Sequence, residues 1–106
     1  MAKKNKSRDR HEHLIEVLKK PDEAVEYLKA ALEEGDMPEL FLLALRNVAD
    51  AQGIKHISEM TGLNRENLYK ILSKKGNPTL GSLYAILNAV GVKLSIEPKS
   101  DDKKAS

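Results

Sequence analysis

Residues 57–71 read Ile-Ser-Glu-Met-Thr-Gly-Leu-Asn-Arg-Glu-Asn-Leu-Tyr-Lys-Ile, and this stretch decides the fold. Gly62 suits a sharp reversal, because glycine takes positive φ without a Cβ clash. A short helix ends there, and Leu63 plugs the corner. Asn64 caps a second helix by accepting from an orphan N–H at its start. In that second helix Leu68, Ile71 and Leu72 share one face, while Arg65, Glu66, Tyr69 and Lys70 are left on the other. A buried stripe opposed by long polar side chains at a helix N-terminus is what a reader of the DNA major groove requires. The same spacing also occurs in helical hairpins that bind no DNA.

Downstream, the second helix is expected to run to about residue 75, with Lys70, Lys74 and Lys75 in its last turns. Positive charge there is favoured by the helix macrodipole alone. The following turn, Gly76-Asn77-Pro78-Thr79, adds backbone N–H groups that can meet a phosphate beside the next helix. Thr79 caps that last helix, which turns Leu80, Leu83, Ile86, Leu87 and Val90 inward and ends at Gly91. Residues 92–97 then change period. Val92, Leu94 and Ile96 alternate with Lys93, Ser95 and Glu97, as in a strand with one buried face. A lone strand has no partner in a helical chain. It can lie on the core as an extended tail or pair with a second copy across a two-fold axis.

Upstream, residues 1–10 hold almost no apolar side chain and read as a disordered basic tail. A short helix is expected from His11 to Lys19, with Leu14, Ile15 and Leu18 on one side. Pro21 opens the next helix, whose stripe is Ala24, Val25, Leu28, Ala31 and Leu32, with Gly35 ending it. Asp36 and Glu39 have capping-box spacing for a third helix through Gln52, with Phe41, Leu42, Leu45, Val48 and Ala49 inward. The expected organisation is a tail (1–10), one domain (11–98) whose first part (11–36) is a helical extension, and a polar tail (99–106). The fold class is all-α, five to six helices, with a short C-terminal β-strand.

The 106 residues make room for about one domain. Aromatics are only 4%, with one Phe and no Trp, so the core must be aliphatic. The chain has no Cys, which excludes disulfides and thiolate metal sites. No apolar run approaches the ~20 residues that span a bilayer. The basic N-terminus lacks a following apolar region, so it is no secretory signal, and the cytoplasm is the expected location. Net charge is only +2, but residues 21–50 carry −6 and residues 51–98 carry +3. Two surfaces with different partners would account for this split, as would two solvated helix faces.

No catalytic constellation stands out, and no enzyme activity, metal or cofactor is expected. His11-Glu12-His13 places its imidazoles at i, i+2, where they diverge on a helix, unlike the i, i+4 pair of a zinc helix. Ser58, Ser73 and Ser82 have no His placed beside them by the sequence. Asp22/Glu23 and Glu33/Glu34 sit at helix ends and need no acid–base role. Gly76, Gly81 and Gly91 match no phosphate-loop spacing.

From Leu18 to Glu97 the chain resembles the addiction-module antidote (antitoxin) family, whose DNA-binding part is of the phage-repressor helix-turn-helix class. The stretches that carry the resemblance are Pro-Asp-Glu-Ala-Val-Glu-Tyr-Leu-Lys-Ala-Ala-Leu-Glu-Glu-Gly-Asp (21–36), Phe-Leu-Leu-Ala-Leu-Arg-Asn-Val-Ala (41–49), Leu-Asn-Arg-Glu-Asn-Leu-Tyr-Lys-Ile-Leu-Ser (63–73) and Gly-Asn-Pro-Thr-Leu (76–80). The resemblance implies an intracellular prokaryotic antitoxin that neutralises a small toxin, commonly RelE-like or ParE-like, and represses its own operon. It implies DNA-reading positions at Asn64, Arg65, Glu66, Tyr69 and Lys70. Ser58 departs from the alanine common at the fifth position of the first motif helix, where close helix crossing needs a small side chain.

Together these readings give a dimeric DNA-binding repressor and antitoxin. The DNA-binding residues are Asn64, Arg65, Glu66, Tyr69, Lys70, Lys74, Lys75, Asn77 and Thr79, on a double-stranded operator. The toxin surface is Glu23, Glu26, Tyr27, Glu33 and Glu34, with Tyr27 as anchor. The homodimer forms through Val92, Leu94 and Ile96. The rival readings are a stand-alone regulator without a toxin and a helical protein-interaction adaptor that binds no DNA.

Overall fold

Proline and glycine set several of the helix boundaries. The computed structural model of the chain describes residues 6–33 and 37–99, among which there are six helices and no strand. They are α1 (Lys6–Leu18), α2 (Pro21–Glu33), α3 (Pro38–Gln52), α4 (Ile54–Thr61), α5 (Arg65–Ile71) and α6 (Leu80–Ala89). Pro21 and Pro38 each occupy a first helical position, where the missing N–H would have been unpaired and φ is already set. Gly62 closes α4 in the left-handed conformation at φ 78°, its N–H bonded to the Ser58 carbonyl.

The long helix α3 is the hub. It packs against the α1–α2 pair on one side and α4 on another, while α4 also packs against α5 and α6. The core is aliphatic throughout: Leu18, Ala24 and Leu28 from the front helices, Leu45, Val48 and Ala49 from α3, Ile57, Leu68, Leu72, Ile86 and Leu87 from the rest. No polar or charged side chain among the described residues is buried. The Gln52 amide donates to the Val90 carbonyl at 2.9 Å, tying the end of α3 to the end of α6.

Several expectations need correction. The C-terminal strand is not formed: residues 92–99 carry no ladder, because the described elements are all helices and offer no strand edge to pair with. Val92 packs against the core, but Leu94 is 40% and Ile96 96% exposed. Helix α1 begins at Lys6, reaching into the expected tail. Lys, Arg and Glu are good helix formers and no Gly or Pro interrupts them; residues 1–5 lie outside the described part. The Asp36–Glu39 capping box does not organise α3: Pro38 starts the helix and Met37 is its N-cap, without a side-chain cap bond, while Asp36 and Gly35 lie outside the described residues. Helix α5 stops at Ile71, so Lys74 and Lys75 stand in the turn beyond it. Leu32 and Leu80, read as inward, are exposed at 55% and 65%, each at the end of its helix.

Candidate nucleic-acid interface

The geometry of α5 begins in the turn before it. The Ser58 hydroxyl donates to the Leu63 carbonyl at 2.6 Å. The Thr61 hydroxyl donates to the Ile57 carbonyl at 2.8 Å and accepts from the Leu63 N–H at 3.1 Å. Ser58 is therefore a strut of the turn, and its hydroxyl binds a carbonyl that an alanine would leave without that donor. Asn64 accepts from the Asn67 N–H at 2.7 Å, as a side-chain N-cap should.

Leu68 is fully buried, Leu72 likewise, and Ile71 packs against the core. That fixes the rotation of α5. Asn64, Arg65, Glu66, Asn67 and Lys70 are consequently exposed. Asn64, Glu66, Asn67 and Lys70 line one shallow open concavity. Asn67 is a member that the sequence reading omitted, although its i, i+3 spacing from Asn64 and Lys70 was a usable signal.

Tyr69 has a different setting. Its hydroxyl donates to Asp50 on α3 at 2.7 Å, and the Arg46 guanidinium lies over its ring, 4.9 Å from the centroid. The hydrogen bond to Asp50 pushes its ionisation above the usual tyrosine range; partial burial and the Asp50 charge add to this, against the opposing pull of Arg46 and Arg65. Neither Arg46 nor Asp50 is marked by any local motif.

Beyond α5, the Ser73 hydroxyl donates to the Lys70 carbonyl at 2.8 Å, and the Gly76 N–H to the Ser73 carbonyl at 2.8 Å. Lys74, Lys75 and Asn77 are exposed on this turn. Thr79 caps α6, accepting from the Ser82 N–H at 3.0 Å. The three serines weighed for nucleophilic chemistry each have a local hydroxyl bond, Ser82 through Thr79 at 3.1 Å. Among the described residues no group of three His, Cys, Asp or Glu gathers to hold a metal, and no helix is long and apolar enough to cross a membrane.

The second surface lies on α2. Glu23, Glu26 and Glu33 are exposed, with Lys29 4.0 Å from Glu26. Glu34 lies outside the described residues. Tyr27 is half-buried and packs on the core; its hydroxyl accepts from the Asn47 amide at 2.9 Å. Tyr27 also lines a shallow apolar groove with Ala30, Ala31, Leu40 and Ala44.

The described residues thus form six helices, with a glycine-reversed pair, α4 and α5, that presents a polar α5 face. Over residues 9–98 the chain matches the family described as probable addiction module antidote protein, and it belongs to that family. It is 33% identical over 97 residues to a Haemophilus influenzae protein described only as uncharacterized, the match covering 92% of this chain and 95% of that one. No solved structure matches it. The family match spans α1 and α2 as well as α3–α6, so the front helices belong to the family unit.

Proposed function

We propose that this antidote-family protein is a helix-turn-helix antitoxin that binds operator DNA through α5 and represses its own promoter. The observation that carries the reading is the rotation of α5: Leu68 and Leu72 face wholly inward, which turns Arg65, Glu66, Asn67 and Lys70 outward as one polar face. Lys74, Lys75, Asn77 and the capped start of α6 at Thr79 adjoin it as phosphate contacts. Arg65 stands in the first turn, where it can reach guanine O6 and N7 bidentately, worth about 1–3 kcal/mol of discrimination. Arg65→Ala is expected to relax sequence preference on a duplex covering the chain's own promoter. Lys74→Ala is expected to weaken all duplexes alike and to flatten the log–log salt dependence by about one unit. Mobility shifts that leave both variants at wild-type affinity would remove the assignment.

The dimer is proposed through the C-terminal segment. Ile96 is the most exposed large apolar side chain described, Leu94 is half-exposed, and the backbone of this segment has no ladder partner. Pairing with a second copy would cover both and set two α5 helices on successive major grooves, about 34 Å apart. A dimer on a promoter palindrome blocks polymerase sterically. Leu94→Pro removes a ladder donor and is expected to give a monomer with weak operator binding. Sedimentation of an intact dimer would move the interface to α6.

For the toxin, we place the contact on the exposed α2 carboxylates Glu23, Glu26 and Glu33, beside the Tyr27 groove and continuing toward Glu34. Toxins that act on RNA, of the RelE-like or ParE-like kind, are basic, so an acidic face speeds encounter while an aromatic anchor supplies affinity. Reversing Glu23, Glu26 and Glu33 to Lys leaves the core untouched. The expected result is loss of toxin capture with operator binding kept, and unaltered capture would place the toxin elsewhere.

A further inference from the structure

Arg46 lies on α3, outside the helix pair that the turn at Gly62 joins. It shares a face with Asp50, one turn later on the same helix. The two do not pair: among the described residues no carboxylate stands within 4.0 Å of the Arg46 guanidinium. Asp50 instead accepts from the Tyr69 hydroxyl at 2.7 Å. Arg46 lies over the Tyr69 ring at 4.9 Å, half-buried, with no acidic partner among the described residues. Arg65 stands one turn before Tyr69 on α5, so the two share a face. Both guanidinium charges act on the Tyr69 hydroxyl. Arg46 thus lies over a ring whose own helix carries a second arginine, Arg65, one turn earlier at the polar α5 face.

We propose that Arg46 is a DNA-phosphate contact held ready by Tyr69, and that Tyr69 is a positioning residue for Arg46 and α5 rather than a base reader. The proposal rests on the reading of α5 as the DNA-binding helix. The guanidinium offers a planar fork of N–H donors that matches phosphate oxygens. Stacking fixes its plane before binding, so less side-chain freedom is lost when a phosphate arrives. The Tyr69–Asp50 bond fixes the ring, and it also engages the carboxylate one turn along α3 from Arg46.

A structural brace and a phosphate contact differ in one readout, the salt dependence of binding. The probe is a labelled mixed-sequence duplex, titrated with full-length protein between about 50 and 200 mM salt. Arg46→Gln is expected to lower the log–log slope by about 0.9. Arg46→Lys, which keeps the charge, is expected to keep the slope while binding more weakly. Tyr69→Phe retains the ring under the guanidinium and is expected to lie nearer the wild type than Tyr69→Leu. An Arg46→Gln protein that melts cooperatively and shows the wild-type slope overturns the proposal and leaves the DNA-binding reading standing. A wild-type protein with no salt-dependent binding to any duplex, its own promoter included, overturns both.

Discussion

Deleting residues 1–35 is expected to unfold the protein rather than to release a smaller DNA-binding unit. Read as sequence, the segment from Pro38 to Val90 is enough to complete a helix-turn-helix domain, which makes the front helices look dispensable. The packing says otherwise. Leu18, Ala24 and Leu28 are buried at 1–3% exposure and belong to the same core cluster as Leu45 and Val48. Helix α3 packs on both α1 and α2, and the Asn47 amide loses its Tyr27 acceptor when α2 is removed. Truncating one buried leucine costs about 2–5 kcal/mol. The deletion removes two of them and uncovers one side of the hub helix. Whole domains are stable by only about 5–15 kcal/mol, so this loss is comparable to the entire stability of a small domain. Far-UV circular dichroism of the truncated chain should show no cooperative melt. A cooperative melt together with promoter binding would show that α3–α6 stand alone. It follows that truncation is a poor test of toxin binding, and that charge reversal on the outer face of α2 is the better one.

Gly76→Ala is expected to destabilise the turn between α5 and α6 by about 1–3 kcal/mol, lowering the melting temperature by roughly 5–20 °C. An added Cβ would stand 1.8 Å from the Ile71 carbonyl oxygen and 2.7 Å from its carbonyl carbon. Both obstacles are backbone, so no side chain can swing aside, and the turn itself must move. The Gly76 N–H bond to Ser73 and the approach to Pro78 and Thr79 would shift with it. Operator affinity is expected to fall as well, because Lys74, Lys75 and Asn77 ride on this turn. Gly81→Ala is the control. There a Cβ meets only the Thr79 hydroxyl at 3.9 Å, and the position is helical, so alanine's better helix propensity is expected to hold or raise stability. Equal melting temperatures for the two variants would mean that the turn adapts without cost.

The helices, and those of their ends set by Gly62, Asn64 and Thr79, were legible in the sequence because the forces that set them act within one turn of chain. Gly62 reverses α4, Asn64 bonds an N–H three residues on, Thr79 does the same for α6, and the apolar spacing of α5 turns Leu68 and Leu72 inward. Each depends on neighbours that the sequence lists side by side. The α5 face that carries Arg65 and Lys70 follows from that spacing alone. What joins one helix to another was not legible. Tyr69 bonds Asp50 across 19 positions, Tyr27 bonds Asn47 across 20, and Gln52 reaches the Val90 carbonyl across 38. No periodicity encodes such pairs, because they exist only once α3 is packed between its neighbours. The same limit explains the C-terminal misreading. Alternation in residues 92–97 states which side chains could share a face, but a strand requires a partner edge. Only the tertiary structure decides whether one is present, and the helices of a single chain supply none.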